Sequence, residues 1–199
     1  MKELEWDKKL HIQTTGRDDA HEDHHHHPYE PTPYSVLERL ADSGYIESEN
    51  ILIDYGCGKG RVGFYLNYRT GCQSIGIEFS EKIYEQAIEN QKSYVGKSGV
   101  GFVCQGAEHY VIEDGDCFFF FNPFSVEILK SVMGRILDTY YVNPRCMRLF
   151  FYYPDTEYVS YLLAGNLDLV DFLDEIDCSD LFEGNDPREK ILIFEIGNW

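Results

Sequence analysis

The segment that decides the fold is ILIDYGCGKGR, residues 51–61. It opens with the apolar run Ile51–Ile53, continues with Asp54, and then places glycine at alternate positions, Gly56, Gly58 and Gly60. A short apolar run that is broken by glycines and followed by helical periodicity predicts a strand, a loop and a helix. Glycine tolerates positive φ and lets a ligand approach the main chain, and the first N–H groups of the following helix point toward the loop. The segment therefore predicts the first βα turn of a pocket for a nucleotide-type ligand.

The glycine spacing separates two kinds of such pocket. The dinucleotide fingerprint G-x-G-x-x-G needs a third glycine for close helix–strand packing under a pyrophosphate. Counted from Gly56, that position holds Arg61, whose large charged side chain spoils the match. The spacing present, D-x-G-x-G-x-G from Asp54 to Gly60, resembles motif I of the class I S-adenosylmethionine (SAM)-dependent methyltransferases. A glycine turn without a ligand is the alternative, and three glycines fit an ordinary βα connection poorly.

The rest of the chain alternates strand and helix patterns, as this resemblance implies. The later predicted strands are Ser74–Glu78, Val100–Cys104, Cys117–Phe121, Met147–Tyr153, Leu167–Asp174 and Lys190–Ile196. The last two resemble the antiparallel end of the methyltransferase sheet. The predicted fold is α/β and Rossmann-like, with a seven-stranded, mostly parallel sheet, helices on both faces and an antiparallel C-terminal strand pair.

The chain divides into a polar leader and one domain. Residues 29–199 are predicted to form a single methyltransferase domain, since neither a repeat nor a second domain is visible. Residues 1–28 are polar, include the tract His21–His27, and predict a mobile segment. Adjacent imidazoles in a mobile segment do not preset a coordination geometry, so no metal site is predicted.

The resemblance implies SAM as the cofactor and S-adenosylhomocysteine (SAH) as its product. Glu78 ends the second predicted strand, where a carboxylate can accept hydrogen bonds from both ribose hydroxyls. Many family members carry Asp-Ala at the third turn, near the adenine, whereas this chain has Gly106 and Ala107 there, followed by Glu108. Ala107 is expected to act through its backbone, and Glu108 is a candidate substitute for the missing acid. The implied cofactor-binding residues are Asp54, Gly56, Cys57, Gly58, Gly60, Glu78, Ala107 and Asn122.

A second motif follows the fourth predicted strand. Asn122, Pro123 and Phe124 stand where amino-group methyltransferases carry Asn/Asp/Ser-Pro-Pro-Tyr/Phe, although one proline is missing. The F-N-P-F sequence resembles more closely a variant found in a poorly characterised bacterial group that shares D-x-G-C-G-K-G-R-V. The resemblance implies that these three residues are catalytic, with carbonyl oxygens accepting hydrogen bonds from a target amine. An ordinary strand-ending turn is the alternative.

The segment before motif I is a candidate lid. In many class I methyltransferases such a segment folds over cofactor and substrate, which makes Tyr29, Thr32 and Tyr34 candidate substrate or lid residues. A proline-stiffened linker that packs its tyrosines on the sheet is an equal alternative. Ser35 is expected to cap the following helix, with Glu38 as its capping-box partner.

Composition limits the partners. The formal net charge is −18, and only 17 Lys and Arg are available to neutralise phosphates, which disfavours extended nucleic-acid binding. A small molecule or a protein is the expected substrate. Six scattered cysteines without a C-x-x-C pair indicate reduced thiols and a cytoplasmic location. No apolar run is long enough to span a membrane. The oligomeric state is left open.

Three functions are compatible with the sequence to different degrees. The leading hypothesis is a SAM-dependent methyltransferase whose acceptor is unidentified, with an amino nitrogen of a small molecule or protein as one possibility. A catalytically silent SAM-binding scaffold or regulator on the same fold is the alternative, because the third and fourth motifs are altered. A nicotinamide-dependent oxidoreductase is disfavoured by Arg61.

Overall fold

The computed structural model describes residues 3–16, 30–164 and 169–197. Its seven strands are β1 (Ile51–Tyr55), β2 (Gln73–Glu78), β3 (Val100–Cys104), β4 (Cys117–Phe120), β5 (Met147–Tyr152), β6 (Val170–Asp177) and β7 (Lys190–Ile196). Its α-helices are α1 (Glu3–Leu10), α2 (Tyr34–Asp42), α3 (Arg61–Thr70), α4 (Glu81–Ser93), α5 (Val126–Val142) and α6 (Thr156–Leu163). Short 3₁₀ turns cover Ala107–His109 and Ser179–Leu181.

The strands form one sheet in the order β3-β2-β1-β4-β5-β7-β6. Neighbouring strands from β3 to β5 are parallel, and β7 runs antiparallel to both β5 and β6. The predicted Rossmann-like, mostly parallel seven-stranded sheet is therefore confirmed. Because β1 lies at the point where the strand order reverses, a crevice is expected beside its carboxyl end.

Each face of the sheet carries its own core. Leu52 and Phe119 pack with residues of α1, α2 and α3 on one face, whereas Ile53 and Phe118 pack with residues of α5 and α6 on the other. The alternation follows from the two-residue period of a strand. All four residues of β4 are buried, which explains why its sequence is apolar without interruption.

The strand predicted over Leu167–Asp174 begins later, at Val170, and extends to Asp177. It is the last strand of the sheet, and most of its side chains are exposed, so an apolar pattern marks its bounds weakly. The predicted start, Leu167, lies outside the described residues. Asp155 is the N-cap of α6, and its carboxylate accepts a hydrogen bond from the Glu157 N–H at 2.7 Å.

The N-terminal region departs from prediction. Residues 3–10 form α1, and Trp6, Leu10 and Ile12 are buried in the core beside α3. The prediction of a mobile segment is therefore wrong for residues 3–16, while His21–His27 lies outside the described residues. Ser35 does not cap α2, since this helix begins at Tyr34 and its N-cap position is Pro33.

Three further findings concern the residues that the structure describes. Across the residues that the structure describes, no helix has the length and apolarity needed to cross a membrane. In the same residues, no three His, Cys, Asp or Glu side chains converge as a metal ion would require. All six cysteines are described, and each is a free thiol.

Candidate functional site

An open cavity lies at the carboxyl ends of four adjacent strands. Its walls are the loops that leave these strands, namely Gly56 and Cys57 after β1, Phe79 and Ser80 after β2, Gln105 after β3, and Phe121–Phe124 after β4. Ligands of open α/β sheets bind at this edge, beside the point where the strand order reverses. The cavity brings Asp54, Glu78, Ala107 and Asn122 to one place, as the motifs predict.

The glycine loop is held by the neighbouring strand. The N–H groups of Gly56 and Cys57 donate to the Ile77 carbonyl at 2.9 and 3.1 Å. Gly56 has φ +71°, and a Cβ there would lie 2.3 Å from the Pro123 Cβ. Only glycine therefore lets the loops after β1 and β4 meet.

The other two glycines of the motif lie outside the described cavity lining. Gly58 donates its N–H to a Glu78 carboxylate oxygen at 3.0 Å. Its link to the cavity is therefore indirect, through the Glu78 side chain. Gly60 has φ +88° and is the N-cap position of α3, and a Cβ there would come within 2.5 Å of Phe102. Its role in the structure is packing, and its predicted contact with a cofactor stays untested.

Asp54 supplies a buried carboxylate to the cavity. It is 3% exposed, and its Oδ2 atom has no hydrogen-bond partner among the described residues. Burial, together with the nearby charge of Glu78, raises the pKa of Asp54 to about 8. A buried polar atom without a partner is uncommon in a folded protein, so this oxygen is available to a cationic or hydrogen-bonding ligand.

Glu78 is also buried, at 8% exposure, but it is held by the backbone. Its Oε2 atom accepts the Gly58 N–H at 3.0 Å, and its Oε1 atom accepts the Ser80 N–H at 2.8 Å. These two bonds fix the direction of the carboxylate at the end of β2. A carboxylate offers about four acceptor positions, so a carboxylate held in this way can also receive hydroxyl donors from a ligand.

The third turn explains the missing acid of the third motif. A Cβ at Gly106 would lie 2.9 and 3.1 Å from the two carboxylate oxygens of Glu108. The Glu108 side chain therefore occupies the space that a side chain at Gly106 would fill. Its Oε2 atom is buried and has no hydrogen-bond partner among the described residues, and both Glu108 and Ala107 line the cavity.

The fourth motif lines the cavity, but its asparagine is already engaged. The Asn122 side chain donates to the Tyr153 carbonyl at 2.6 Å and accepts the Asp155 N–H at 3.0 Å. Asn122 has φ +41°, a left-handed conformation that asparagine tolerates better than most residues. Its amide thus ties the loop after β4 to the loop after β5. A target amine that donated a hydrogen bond to the Asn122 side chain, as predicted, would have to share the amide oxygen with the Asp155 N–H.

Pro123 and Phe124 complete the same loop. Phe124 is 3% exposed and packs edge-on against Tyr55 and Phe120, with ring centroids 6.4 and 6.3 Å away. Its carbonyl accepts the Tyr158 hydroxyl at 2.5 Å. The loop is therefore rigid where it meets the cavity, and the Pro123 ring packs against Gly56.

The three lid candidates separate in the structure. Thr32 is buried and lines the cavity together with Glu30 and Pro31. Tyr34 is wholly buried outside the cavity lining, where its hydroxyl donates to Asp7 at 2.6 Å, so the structure does not bring it to the site. Tyr29 lies outside the described residues.

Sequence reasoning missed several functional positions. Arg61 lines the cavity. In the sequence, its position argued only against a dinucleotide site. Glu30 and Pro31 also line the cavity, and Phe79 follows the second strand directly. A signal existed for Arg61, because a cation at the start of a predicted helix opposes the helix dipole and so requires partners.

Similarity to known proteins is consistent with this geometry. No family model matches the chain. A protein-lysine N-methyltransferase of Saccharolobus islandicus is 29% identical over 76 residues, which cover 38% of this chain and 45% of that protein. The match thus spans less than half the length of this curated relative.

Solved structures resemble the chain over most of its length. An RNA methyltransferase from Salinibacter ruber, in complex with SAH, superposes with a TM-score of 0.58 at 18% identity, covering 85% of this chain and 95% of that one. A SAM-dependent methyltransferase from Thiobacillus denitrificans, also with SAH, gives 0.57 at 16% identity, covering 89% and 93%. A TehB-like SAM-dependent methyltransferase from Corynebacterium glutamicum gives 0.59 at 14%, covering 82% and 88%. The chain has the Rossmann-like fold of the class I methyltransferases.

Proposed function

We propose that this chain is a SAM-dependent methyltransferase. The observation that carries the proposal is the Asp54 carboxylate, buried in the cavity with one oxygen that has no partner among the described residues. The α-ammonium group of SAM is a cation that such an oxygen can bind. The D-x-G-x-G-x-G motif and the methyltransferase fold support the same cofactor.

The charge of the cavity supports SAM over a dinucleotide. Among the described lining residues, the acidic ones are Glu30, Asp54, Glu78 and Glu108, and the basic one is Arg61, which already contacts the Glu3 carboxylate. SAM carries a sulfonium, an ammonium and a carboxylate, so its charge is net positive. The pyrophosphate of a nicotinamide dinucleotide is negative and would be repelled by this lining.

The cavity residues fit the parts of SAM. Asp54 would hold the ammonium, the backbone-anchored Glu78 would receive the ribose hydroxyls, and Ala107 with Glu108 would face the adenine. When bound, the cofactor supplies a methyl group on a sulfonium. The chain's own contribution is to orient this group and to shield it from water, because alignment of the reactants can supply several kcal/mol. Asn122, Pro123 and Phe124 are proposed to line the acceptor side.

The finer proposal is that the acceptor is an amino nitrogen of a small molecule or a protein. The fourth motif supports it, as does the name of the curated relative, which acts on protein lysine. An amine that attacks a methyl group needs a free lone pair. Carbonyl oxygens that accept hydrogen bonds from the N–H groups of the amine leave that lone pair directed toward the methyl group. The main-chain carbonyls of Asn122 and Pro123 are suited to this role, since the Asn122 side chain already binds two neighbouring loop groups.

One observation favours the alternative of a silent SAM-binding scaffold. The Asn122 side chain is engaged by Tyr153 and Asp155, so the fourth motif is explained structurally without any acceptor. The two functions share the cofactor and differ only in turnover. An assay of methyl transfer therefore separates them.

The proposed substrate class and cellular compartment rest on the net charge and the cysteines of the chain. The charge of −18 counts against an extended nucleic-acid substrate, although several similar structures are RNA methyltransferases. The six free thiols support the proposed cytoplasmic location, where cysteines stay reduced.

The proposal is tested by supplying SAM with a labelled methyl group to the purified chain together with pools of amines, peptides, carboxylic acids and RNA. We expect label to enter an amine or peptide pool, and Asp54→Asn to abolish the transfer. Tight SAH binding without label in any pool would favour the scaffold. Stabilisation by a nicotinamide dinucleotide and by neither SAM nor SAH would contradict both.

A further inference from the structure

Arg61 is a buried cation beside the proposed cofactor cavity. It is the first residue of α3, it is 2% exposed, and it contributes to the cavity wall. A positive charge at a helix N-terminus opposes the helix dipole. A buried charge is also costly unless other groups pair with it. Arg61 can therefore occupy this position only if the surrounding chain compensates its charge.

The compensation comes from the N-terminal region. The Arg61 guanidinium donates to the Thr14 hydroxyl at 2.7 Å, the Thr32 carbonyl at 3.1 Å and the Thr15 hydroxyl at 3.3 Å, and it contacts the Glu3 carboxylate. It lies 4.0 Å from Asp7 Oδ1 and 4.3 Å from the centre of the Tyr34 ring. All of these partners precede motif I.

Asp7 organises the segment that carries these partners. It is 5% exposed and accepts hydrogen bonds from the backbone and hydroxyl groups of Thr14 and Thr15 and from the Tyr34 hydroxyl, at 2.6–3.0 Å. Burial opposes ionisation of Asp7, but the hydrogen bonds from Tyr34 and Thr14 outweigh it and lower the pKa of Asp7. The carboxylate is therefore charged when residues 3–16 are docked.

A second connection joins this segment to the glycine loop. The Asn90 side chain accepts the Gln13 N–H at 2.8 Å and donates to the Gln13 carbonyl at 3.2 Å. The same side chain donates to the Lys59 carbonyl at 3.0 Å. Lys59 lies between the second and third glycines of motif I, so residues 3–16 contact this loop through both Arg61 and Asn90.

The electrostatic consequence concerns the cofactor. Without the docked segment, Arg61 would present an uncompensated positive charge to a cavity that is proposed to bind a net cation. Docking adds the carboxylates of Glu3 and Asp7 and removes that repulsion. The docked state therefore binds SAM more tightly, and by linkage SAM stabilises docking by the same factor.

We propose that Arg61 is a positioning residue that couples the docking of residues 3–16 to cofactor binding. The inference rests on the proposed function, because it takes SAM and SAH as the ligands. It assigns to the N-terminal segment a role in cofactor affinity beyond its contribution to the core.

Hydrogen exchange read by mass spectrometry tests the coupling in the full chain, with and without saturating SAM, because SAM carries the sulfonium charge that SAH lacks. In the wild type, we expect SAM to slow exchange within residues 3–16. Peptides from β5 serve as the reference for global opening. Arg61→Gln removes the charge that the docked segment compensates, so it is expected to remove the SAM-dependent protection of residues 3–16 without weakening SAM binding. Glu3→Gln leaves Arg61 less compensated and is expected to weaken SAM binding severalfold and to reduce this protection.

Two variants, Glu3→Gln and Glu5→Gln, separate the coupling from a loss of folding. Glu3 is 42% exposed in its side chain, so Glu3→Gln should fold even if Arg61→Gln does not. Glu5→Gln removes the same charge from an exposed position of α1 and should leave both readouts unchanged. A merely structural Arg61 would speed exchange with and without SAM alike and would preserve the ligand-dependent protection.

The outcomes separate this inference from the proposed function. SAM binding to the wild type without protection of residues 3–16, or with protection retained in Arg61→Gln and Glu3→Gln, would overturn the coupling alone. Failure of the wild type to bind either SAM or SAH would overturn the coupling and the cofactor assignment together.

Discussion

At the scale of single residues, two acidic side chains in one cavity have different partners and therefore different roles. Glu78 accepts two backbone N–H groups, so its orientation is set before any ligand binds. Asp54 lies in the same lining with one oxygen unsatisfied among the described residues, and its pKa is raised to about 8. The Asp54 oxygen can gain its missing partner from a bound cation, so Asp54 is the residue that discriminates best between ligands.

Asp54 is expected to make the stability of the folded chain depend on pH. Its pKa is raised from 3.8 to about 8, so the folded state holds a proton that the unfolded state releases. Its contribution to stability is therefore fully present below pH 3.8 and is lost as the pH rises through about 8. We expect Asp54→Asn to remove this pH dependence and to stabilise the ligand-free chain at alkaline pH. Thermal unfolding across the pH range measures it, and an unchanged pH profile would contradict the assignment.

The same substitution is expected to weaken SAM binding. Loss of a charged hydrogen bond costs about 1.5–3 kcal/mol, or roughly 10- to 150-fold in affinity. Calorimetry should therefore show weaker SAM binding by Asp54→Asn at about pH 8, where the Asp54 carboxylate is substantially ionised. Equal affinities of the wild type and the variant would show that Asp54 does not contact the cofactor.

Asn122 adopts a left-handed backbone conformation and makes two side-chain hydrogen bonds. Asn122→Ala places an alanine at φ +41° and removes the bonds to Tyr153 and Asp155, whereas Asn122→Gly removes the same bonds without the conformational strain. We expect the alanine variant to be less stable than the glycine variant by about 1 kcal/mol. Chemical denaturation of the two variants measures the difference, and the opposite order would refute the strain.

At the scale of elements, the loops that leave β1 and β4 meet through a residue without a side chain. A Cβ at Gly56 would lie 2.3 Å from the Pro123 Cβ, at φ +71°. The contact joins motif I to the proposed acceptor motif. The two loops therefore hold each other in place, and a change in one is expected to disturb the other.

Gly56→Ala tests this contact. Strain at positive φ and the collision with Pro123 should together destabilise the protein by about 2–4 kcal/mol and weaken SAM binding. Gly134→Ala is the matched control, because Gly134 lies in α5, where an added methyl group would have nothing within 4 Å, and the variant should gain about 0.5–1 kcal/mol. Equal stabilities of the two variants, measured by denaturation, would be incompatible with the described contact.

Whether a helix or strand can be predicted from the sequence depends on whether its own residues or distant contacts stabilise it. The bounds of β7 could be predicted because an apolar run coincides with a buried strand. Helix α1 could not, since it has only two buried apolar residues, Trp6 and Leu10, and depends on distant partners. A short helix of this kind is stable only through tertiary contacts. In the site, the motifs predicted Asp54 and Glu78 in the cavity, whereas the contacts of Arg61 depend on distant segments that local patterns do not connect.

At the scale of the whole molecule, negative charge dominates. The net charge is −18, and residues 169–190 alone contain eight acidic and two basic residues. Several of these acids are paired, including Asp180 with Arg39 and Glu175 with Lys190. The excess of like charge disfavours the compact state through self-repulsion.

Salt should therefore stabilise the chain. Raising sodium chloride from about 0.02 M to about 0.5 M shortens the Debye length from roughly 20 Å to about 4 Å and screens this repulsion. We expect the Tm to rise by several degrees, whereas an equivalent concentration of a neutral solute should have a smaller effect. A fall in Tm would indicate that screened ion pairs outweigh the repulsion.

The assignment on which the proposed function and the coupling both depend is that the cavity at the carboxyl edge of the sheet binds SAM. The decisive measurement is calorimetric titration of the wild-type chain with SAH and, in parallel, with a nicotinamide dinucleotide. We predict one SAH site with a Kd below about 100 μM and no heat from the dinucleotide. Binding of the dinucleotide without binding of SAH would contradict the assignment.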